Sequence, residues 1–140
     1  MNLLRTYKWF PSAKTRNHAA VDRKKIGTIL DAIGLSAEAG RLPSFKVMLV
    51  DDGSRLMELK KSVAGQSEVA RSAQLLVFAA FEDMDEGAST ALTAVGTAMV
   101  TAALAGIDST GIEDFDSAKV DSLLGLSEQG LHSIALLSLN

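Results

Sequence analysis

Residue types that commonly do chemistry are few in this sequence, and their spacing argues against several kinds of site. The two histidines, His18 and His132, are far apart, and cysteine is absent. Zinc centres need closely spaced histidine and cysteine ligands, so none is expected. The chain also lacks a glycine-rich phosphate motif and the strand-to-helix elbow that presents a nucleophilic serine. Metal-dependent and triad-type hydrolytic chemistry are therefore disfavoured.

The most informative segment covers residues 106–126, which read Gly-Ile-Asp-Ser-Thr-Gly-Ile-Glu-Asp-Phe-Asp-Ser-Ala-Lys-Val-Asp-Ser-Leu-Leu-Gly-Leu. The pattern predicts a short strand over 107–112 and a short helix over 117–124, joined by a loop at 111–115. Two carboxylates, Glu113 and Asp114, stand in that loop. From the residues alone, they form an acidic turn between a strand and a helix.

Composition sets the class of protein that must position these residues. The chain has 140 residues, of which 47% are hydrophobic and 22% charged, which is ordinary for one soluble globular domain. The net charge is −3 and no basic stripe is present, so nucleic acid is not an expected partner. The longest apolar stretch, 91–105, is interrupted by Thr and Gly, and no signal peptide is recognised. We expect a soluble protein, and the lack of cysteine fits the cytoplasm.

Hydrophobic periodicity predicts an α+β fold with one mixed, mostly antiparallel sheet flanked by helices. Helices are predicted over 2–9, over 22–35, after a turn at 51–54, over 88–104 and over 117–124. Strands are predicted over 45–50, 74–81, 107–112 and 131–139. The expected buried positions of the second and third helices are Ile26, Ile29, Leu30, Ile33, Leu35, Leu56, Met57, Leu59 and Val63.

Several segments, taken in chain order, resemble the nitroreductase family. Its members are FMN-dependent enzymes that pass electrons from a reduced nicotinamide to quinones or nitroaromatics. The strand at 45–50 with the two aspartates after it, and the residues Gly65-Gln-Ser-Glu-Val and Ser72-Ala-Gln-Leu-Leu-Val-Phe-Ala-Ala80, are similar to family segments. Residues 112–116, Ile-Glu-Asp-Phe-Asp, resemble the family loop that lies over the flavin and points a backbone N–H at its reactive nitrogen.

The resemblance implies a set of cofactor-binding residues and no catalytic side chain. Ser12 and Lys14 correspond to the phosphate-binding region, although Ser12 reads first as a turn residue and Lys14 as a solvated loop lysine. Ala39 and Arg41 lie in the stretch that faces the flavin. Glu113 and Asp114 supply the loop. FMN is the implied cofactor and NAD(P)H the implied electron donor.

The chain departs from the family pattern at several places. Phe10 stands where the family has a phosphate-binding arginine, and Glu38 replaces a small hydroxyl residue. No basic group follows the last predicted strand, and residues 82–87 replace a pair of lid helices. We therefore expect a single domain over 1–140 that lacks the lid helices and the C-terminal extension of the family.

The helix at 91–104 predicts a homodimer. Ala91, Ala94, Ala98 and Ala102 would let another backbone come close, and the corresponding family helix forms the centre of a symmetric dimer. A helix buried within one monomer is the alternative.

Two functions follow from these observations. The first is a shortened nitroreductase-like enzyme that uses FMN and NAD(P)H to reduce a small-molecule acceptor. The alternative is a degenerate fold that has lost FMN and acts as a dimeric binding or regulatory module. Loss of phosphate-binding cations and of the lid favours the alternative, whereas the preserved loop favours the enzyme.

Overall fold

The computed structural model describes residues 21–37, 44–63, 72, 74–83 and 86–140. Within them, four helices and four strands alternate along the chain. They are α1 (Arg23–Ala37), β1 (Phe45–Val50), α2 (Gly53–Lys60), β2 (Gln74–Phe81), α3 (Gly87–Leu104), β3 (Ser109–Ile112), α4 (Ser117–Leu124) and β4 (Leu131–Leu139), with a 3-10 turn at Ser127–Gln129 before the last strand. The helix predicted over 2–9 lies outside the described residues.

The four strands form one sheet in the order β1-β2-β4-β3, and every described pairing is antiparallel. The two central strands are the most apolar. All residues of β2 except Phe81 are buried, as a continuous apolar run predicts for a strand covered on both faces. The pairing of β2 with β4 shifts register between Phe78 and Ala79. This α+β architecture confirms the predicted fold class.

Helices cover both faces of the sheet, so the described residues form three layers. Leu76 and Phe78 of β2 point towards α1 and α3, where they join the larger core cluster. Leu75 and Val77 point the other way, into a cluster with α2 and α4. This alternation follows from the two-residue period of a strand.

The start of α1 is tied both to its own first turn and to the sheet. The Oδ1 atom of Asp22 accepts a hydrogen bond from the N–H of Lys24 at 3.0 Å, as expected for a residue that begins a helix. The buried side-chain amide of Gln74 pairs with the backbone of Val21, accepting from its N–H at 2.7 Å and donating to its carbonyl at 3.2 Å. These bonds hold the beginning of α1 against β2.

The long helix α3 begins at a close approach to the sheet. A Cβ atom on Gly87 would lie 2.9 Å from the carbonyl oxygen of Ser44 and 3.0 Å from the Cβ of Ala80. Glycine is therefore required where α3 begins, next to the start of β1 and the end of β2. The helix has 18 residues with a mean hydropathy of 1.4, so by length and composition alone it falls within the range of a membrane span. Its inner face packs on the sheet and α1. This face carries Ala91, Ala94, Ala98 and Ala102, which are buried within one chain, so the expectation that these alanines meet a second copy was wrong.

Two predicted core positions were wrong. Leu35 is 86% exposed and Met57 is 65% exposed. In α1 the buried residues Ile26, Ile29 and Ile33 define one face, and Leu35 lies about 200° round the helix from Ile33. Met57 follows buried Leu56 by one residue, which turns it about 100° away from the core.

Candidate functional site

The loop over residues 113–116 leaves the edge strand β3 and leads into α4. Just before it, Ile112 is buried and pairs with Leu136 of β4. Glu113 and Asp114 are exposed, and Phe115 is half-buried against the core cluster beneath α2 and α4. The loop therefore presents two acidic residues to solvent between two anchored neighbours.

Asp116 anchors the far end of this loop. Its backbone N–H donates to the carbonyl oxygen of Ser62 at 2.9 Å. Its Oδ1 atom accepts from the backbone N–H of Lys119 at 3.2 Å and so caps α4. The Lys119 ammonium lies 4.0 Å from the other carboxylate oxygen, but both side chains are largely exposed and this pair adds little. Asp116 is not among the predicted site residues, although an aspartate just before a predicted helix is a recognised cap signal.

The backbone donors of the loop are open. Within the part of the chain that the structure describes, no hydrogen bond joins the N–H of Glu113 or Asp114 to a protein acceptor. Both residues are exposed, and their N–H groups have no described protein partner. This is a donor set suited to an acceptor atom on a ligand.

The helix α4 that follows the loop is also fixed to the sheet. The Oδ1 atom of Asp121 accepts a hydrogen bond from the N–H of Ser133 at 2.8 Å. Ser133 stands next to the register shift between β2 and β4, where the regular ladder is interrupted. No sequence signal identifies this bond in advance, because the register shift is a property of the paired strands.

A groove of about 520 Å³ separates α2 from α4. Buried Leu59 and Val120 line it, and Lys61 and Lys119 lie along it. Each lysine has an acidic neighbour, since Lys61 contacts Glu58 at 2.9 Å and Lys119 lies near Asp116. The described lining residues therefore carry no excess of positive charge for a phosphate. They share Asp116 with the loop and include neither Glu113 nor Asp114.

The outward face of α3 is the second feature that bears on function. Leu92, Val100 and Leu104 are 41%, 43% and 40% exposed. On the same helix, the hydroxyls of Thr93, Thr97 and Thr101 donate to carbonyl oxygens one turn earlier, at 3.0, 3.3 and 2.8 Å. These threonines therefore satisfy their hydroxyl donors within the helix. A surface of this kind loses few hydrogen bonds when it is covered.

The sequence-predicted site residues fall into two groups. Glu113 and Asp114 lie together on the loop described above. Ser12, Lys14, Ala39 and Arg41 lie outside the described residues, so their assignment to the cofactor stays a prediction. Among the residues described, no cluster of His, Cys, Asp and Glu is arranged to hold a metal ion.

Comparisons with known proteins give structural neighbours. No protein-family model matches the sequence, and no curated protein matches it. The nitroreductase family protein from Clostridium novyi NT has a TM-score of 0.82 at 18% identity, covering 100% of this chain and 84% of its own. The FMN-dependent nitroreductase from Clostridium difficile gives 0.84 at 17%, covering 98% and 86%. Nitroreductase A from Vibrio parahaemolyticus gives 0.84 at 24%, covering 100% and 68%.

These neighbours share the whole length of the chain but little of its sequence, so the likeness establishes architecture. The chain has the nitroreductase fold.

Proposed function

We propose that this protein is a nitroreductase-like oxidoreductase that passes electrons from NAD(P)H through FMN to a quinone or nitroaromatic acceptor. The observation that carries this proposal is the anchored loop with the open amides of Glu113 and Asp114, set in a nitroreductase fold. One of the structural neighbours is named an FMN-dependent nitroreductase. The described residues fit a flavin here because they offer exposed donors on a loop fixed at both ends.

Different residues of the chain would bind different parts of the cofactor. Lys14 and Ser12 would bind the phosphate, since a phosphate favours charged and hydroxyl donors. Ala39 and Arg41 would line the flavin, and the backbone of Glu113 and Asp114 would donate to its ring. When bound, FMN supplies the redox chemistry, so the protein needs no acid–base pair of side chains.

The proposal includes a homodimer, formed with a second copy of the chain. The apolar outward face of α3, with Leu92, Val100 and Leu104, would be covered in a symmetric homodimer. Covering these three partly exposed side chains would remove apolar surface from water. A cytoplasmic location fits an enzyme that draws on reduced nicotinamide.

Titration of the purified full chain with FMN tests the proposal. Quenching of flavin fluorescence should report saturable binding, and the complex should oxidise NADH or NADPH in the presence of a quinone. Lys14→Ala should weaken FMN binding by about ten- to a hundredfold, the worth of one charged hydrogen bond. Lys24→Ala, at an exposed lysine of α1, is the matched control and should bind normally.

Absence of FMN binding at high micromolar concentration would end this proposal. The alternative function, a dimeric binding or regulatory module without FMN, would then remain. Equal loss in the Lys14 and Lys24 variants would mean that general charge, and not a phosphate contact at Lys14, governs binding.

A further inference from the structure

The loop over residues 113–116 is useful to a ligand only if its backbone direction is fixed. On one side, the pairing of buried Ile112 with Leu136 sets that direction. On the other side, the exposed residues Glu113 and Asp114 make no described contact that would hold them. The second anchor must therefore come after them in the chain.

Asp116 provides this anchor with two bonds to two different elements. Its N–H is bound to the carbonyl of Ser62, beyond the end of α2, at 2.9 Å. Its side chain is bound to the N–H of Lys119, in the first turn of α4, at 3.2 Å. Ser62 is itself buried, and its hydroxyl donates to the carbonyl of Leu59 at 2.6 Å. The loop end is thus held between an ordered turn and a capped helix.

We infer that Asp116 is a positioning residue for the flavin-facing amides of Glu113 and Asp114, acting through the cap on α4. This inference rests on the proposed function. Without the cap, the first turn of α4 loses the acceptor for its Lys119 N–H and frays. Asp116, which joins the loop to α4, then moves with that turn. Loop conformations that turn the amides away from the ligand become populated. The apparent affinity then falls in proportion to the fraction of molecules whose amides still face the ligand.

Three variants separate the cap from the charge. Asp116→Ala removes both, Asp116→Asn keeps a good cap without the charge, and Lys119→Ala removes the exposed ion pair with the cap intact. If Asp116→Ala does not fold, Asp116→Glu replaces it, because the longer side chain keeps the charge but is a poor cap. None of these four substitutions directly alters the hydrogen bond from the backbone N–H of Asp116 to the carbonyl oxygen of Ser62.

The first measurement is backbone ¹⁵N relaxation of Glu113 and Asp114 in the flavin-free protein. The Ala variant should show lower order parameters at these two amides, and the Asn and Lys119 variants should match the wild type. The second measurement is FMN affinity, which should fall about fivefold in the Ala variant alone. The reduction potential of bound FMN should become less negative, because a ring nitrogen would accept from a loop N–H only in the oxidised state, and loss of that bond would disfavour the oxidised form.

The outcomes decide the inference separately from the proposed function. Wild-type FMN affinity and wild-type loop order in Asp116→Ala overturn the inference and leave the flavin proposal standing. Equal losses in Asp116→Ala and Lys119→Ala overturn it as well, since the ion pair would then be responsible. A wild-type protein that binds no FMN overturns the proposed function and the flavin-facing role of Asp116, whatever the relaxation data show about the loop.

Discussion

The inner and outer faces of α3 have nearly the same chemistry but different surroundings. The inner face carries Ala91, Ala94, Ala98 and Ala102, all of which are buried against α1 and the sheet. The outer face carries Leu92, Val100 and Leu104, which are about two-fifths exposed. The small inner side chains bring the helix close to the sheet, whereas the larger outer ones are partly open to water. Apolar composition therefore marks both a core and a surface that a second copy can cover.

The difference between the two faces is tested most directly by placing a lysine on each face in turn. Ala98→Lys on the inner face puts an ammonium where the side chain has no access to water. We expect a loss of about 3 kcal/mol or more in the free energy of unfolding, because the ammonium would be buried in an apolar core cluster. Chemical denaturation followed by circular dichroism measures the loss. A variant as stable as the wild type would show that the inner face is not a core.

Val100→Lys puts the charge on the outer face. The subunit should keep its fold, but the proposed dimer should weaken by about a hundredfold or more, because two lysines would be desolvated at the interface. Light scattering across a concentration series measures the association. Ser54→Lys, at an exposed site on α2, adds the same charge and should leave the dimer intact. Persistence of the dimer in Val100→Lys would place the interface elsewhere.

A smaller change sharpens the comparison at Gly96. No described atom lies within 4 Å of the position that a Cβ would take there. Gly96→Ala should therefore stabilise the isolated subunit by ~0.5–1 kcal/mol, the usual gain for this change within a helix. If a second copy approaches closely at Gly96, the same methyl group should weaken association.

Gly34→Ala in α1 is the control, because its position is also open. It should raise subunit stability by a similar amount without any effect on the dimer. Equal behaviour of the two variants in association would argue against close helix contact at Gly96.

The smallest expected effect concerns Lys60 at the end of α2. Burial desolvates its ammonium and lowers its pKa from 10.5. The charged form is therefore disfavoured in the folded state below the folded pKa, and this penalty is relieved as the pH rises towards 10.5. Lys60→Gln should change stability by less than ~0.5 kcal/mol at neutral pH. Any gain should vanish at alkaline pH in parallel denaturation curves, with exposed Lys61→Gln as the control.

Much of the fold could be predicted because local chemistry and global packing agree there. The bounds of β1 and β2 match the apolar runs in the sequence, and α4 begins and ends where predicted. The strand predicted over 107–112 is shorter, since Ile107 and Asp108 precede β3. Leu35 and Met57 were misplaced because a list of apolar residues ignores the angle at which each leaves its helix.

The candidate site was predictable only in part. Glu113 and Asp114 were placed correctly on a loop between a strand and a helix, because glycine and polar residues mark that break. The bond from the Asp116 N–H to Ser62 and the bond from the Ser133 N–H to Asp121 were missed, because they join separate segments and periodicity carries no information about such partners. The Asp116 cap on Lys119 is local, and an aspartate just before a predicted helix is its signal.

The pair of hydrogen bonds between Gln74 and Val21 has a consequence for the order of folding. It joins residues 53 positions apart, and its side-chain partner is oriented by a strand. Since the Gln74 amide is directed at Val21 only once β2 is in place, α1 should dock after the central strands have paired. Gln74→Ala should then accelerate unfolding and leave the refolding rate nearly unchanged. The first described helix in the chain would be among the last elements to reach its place.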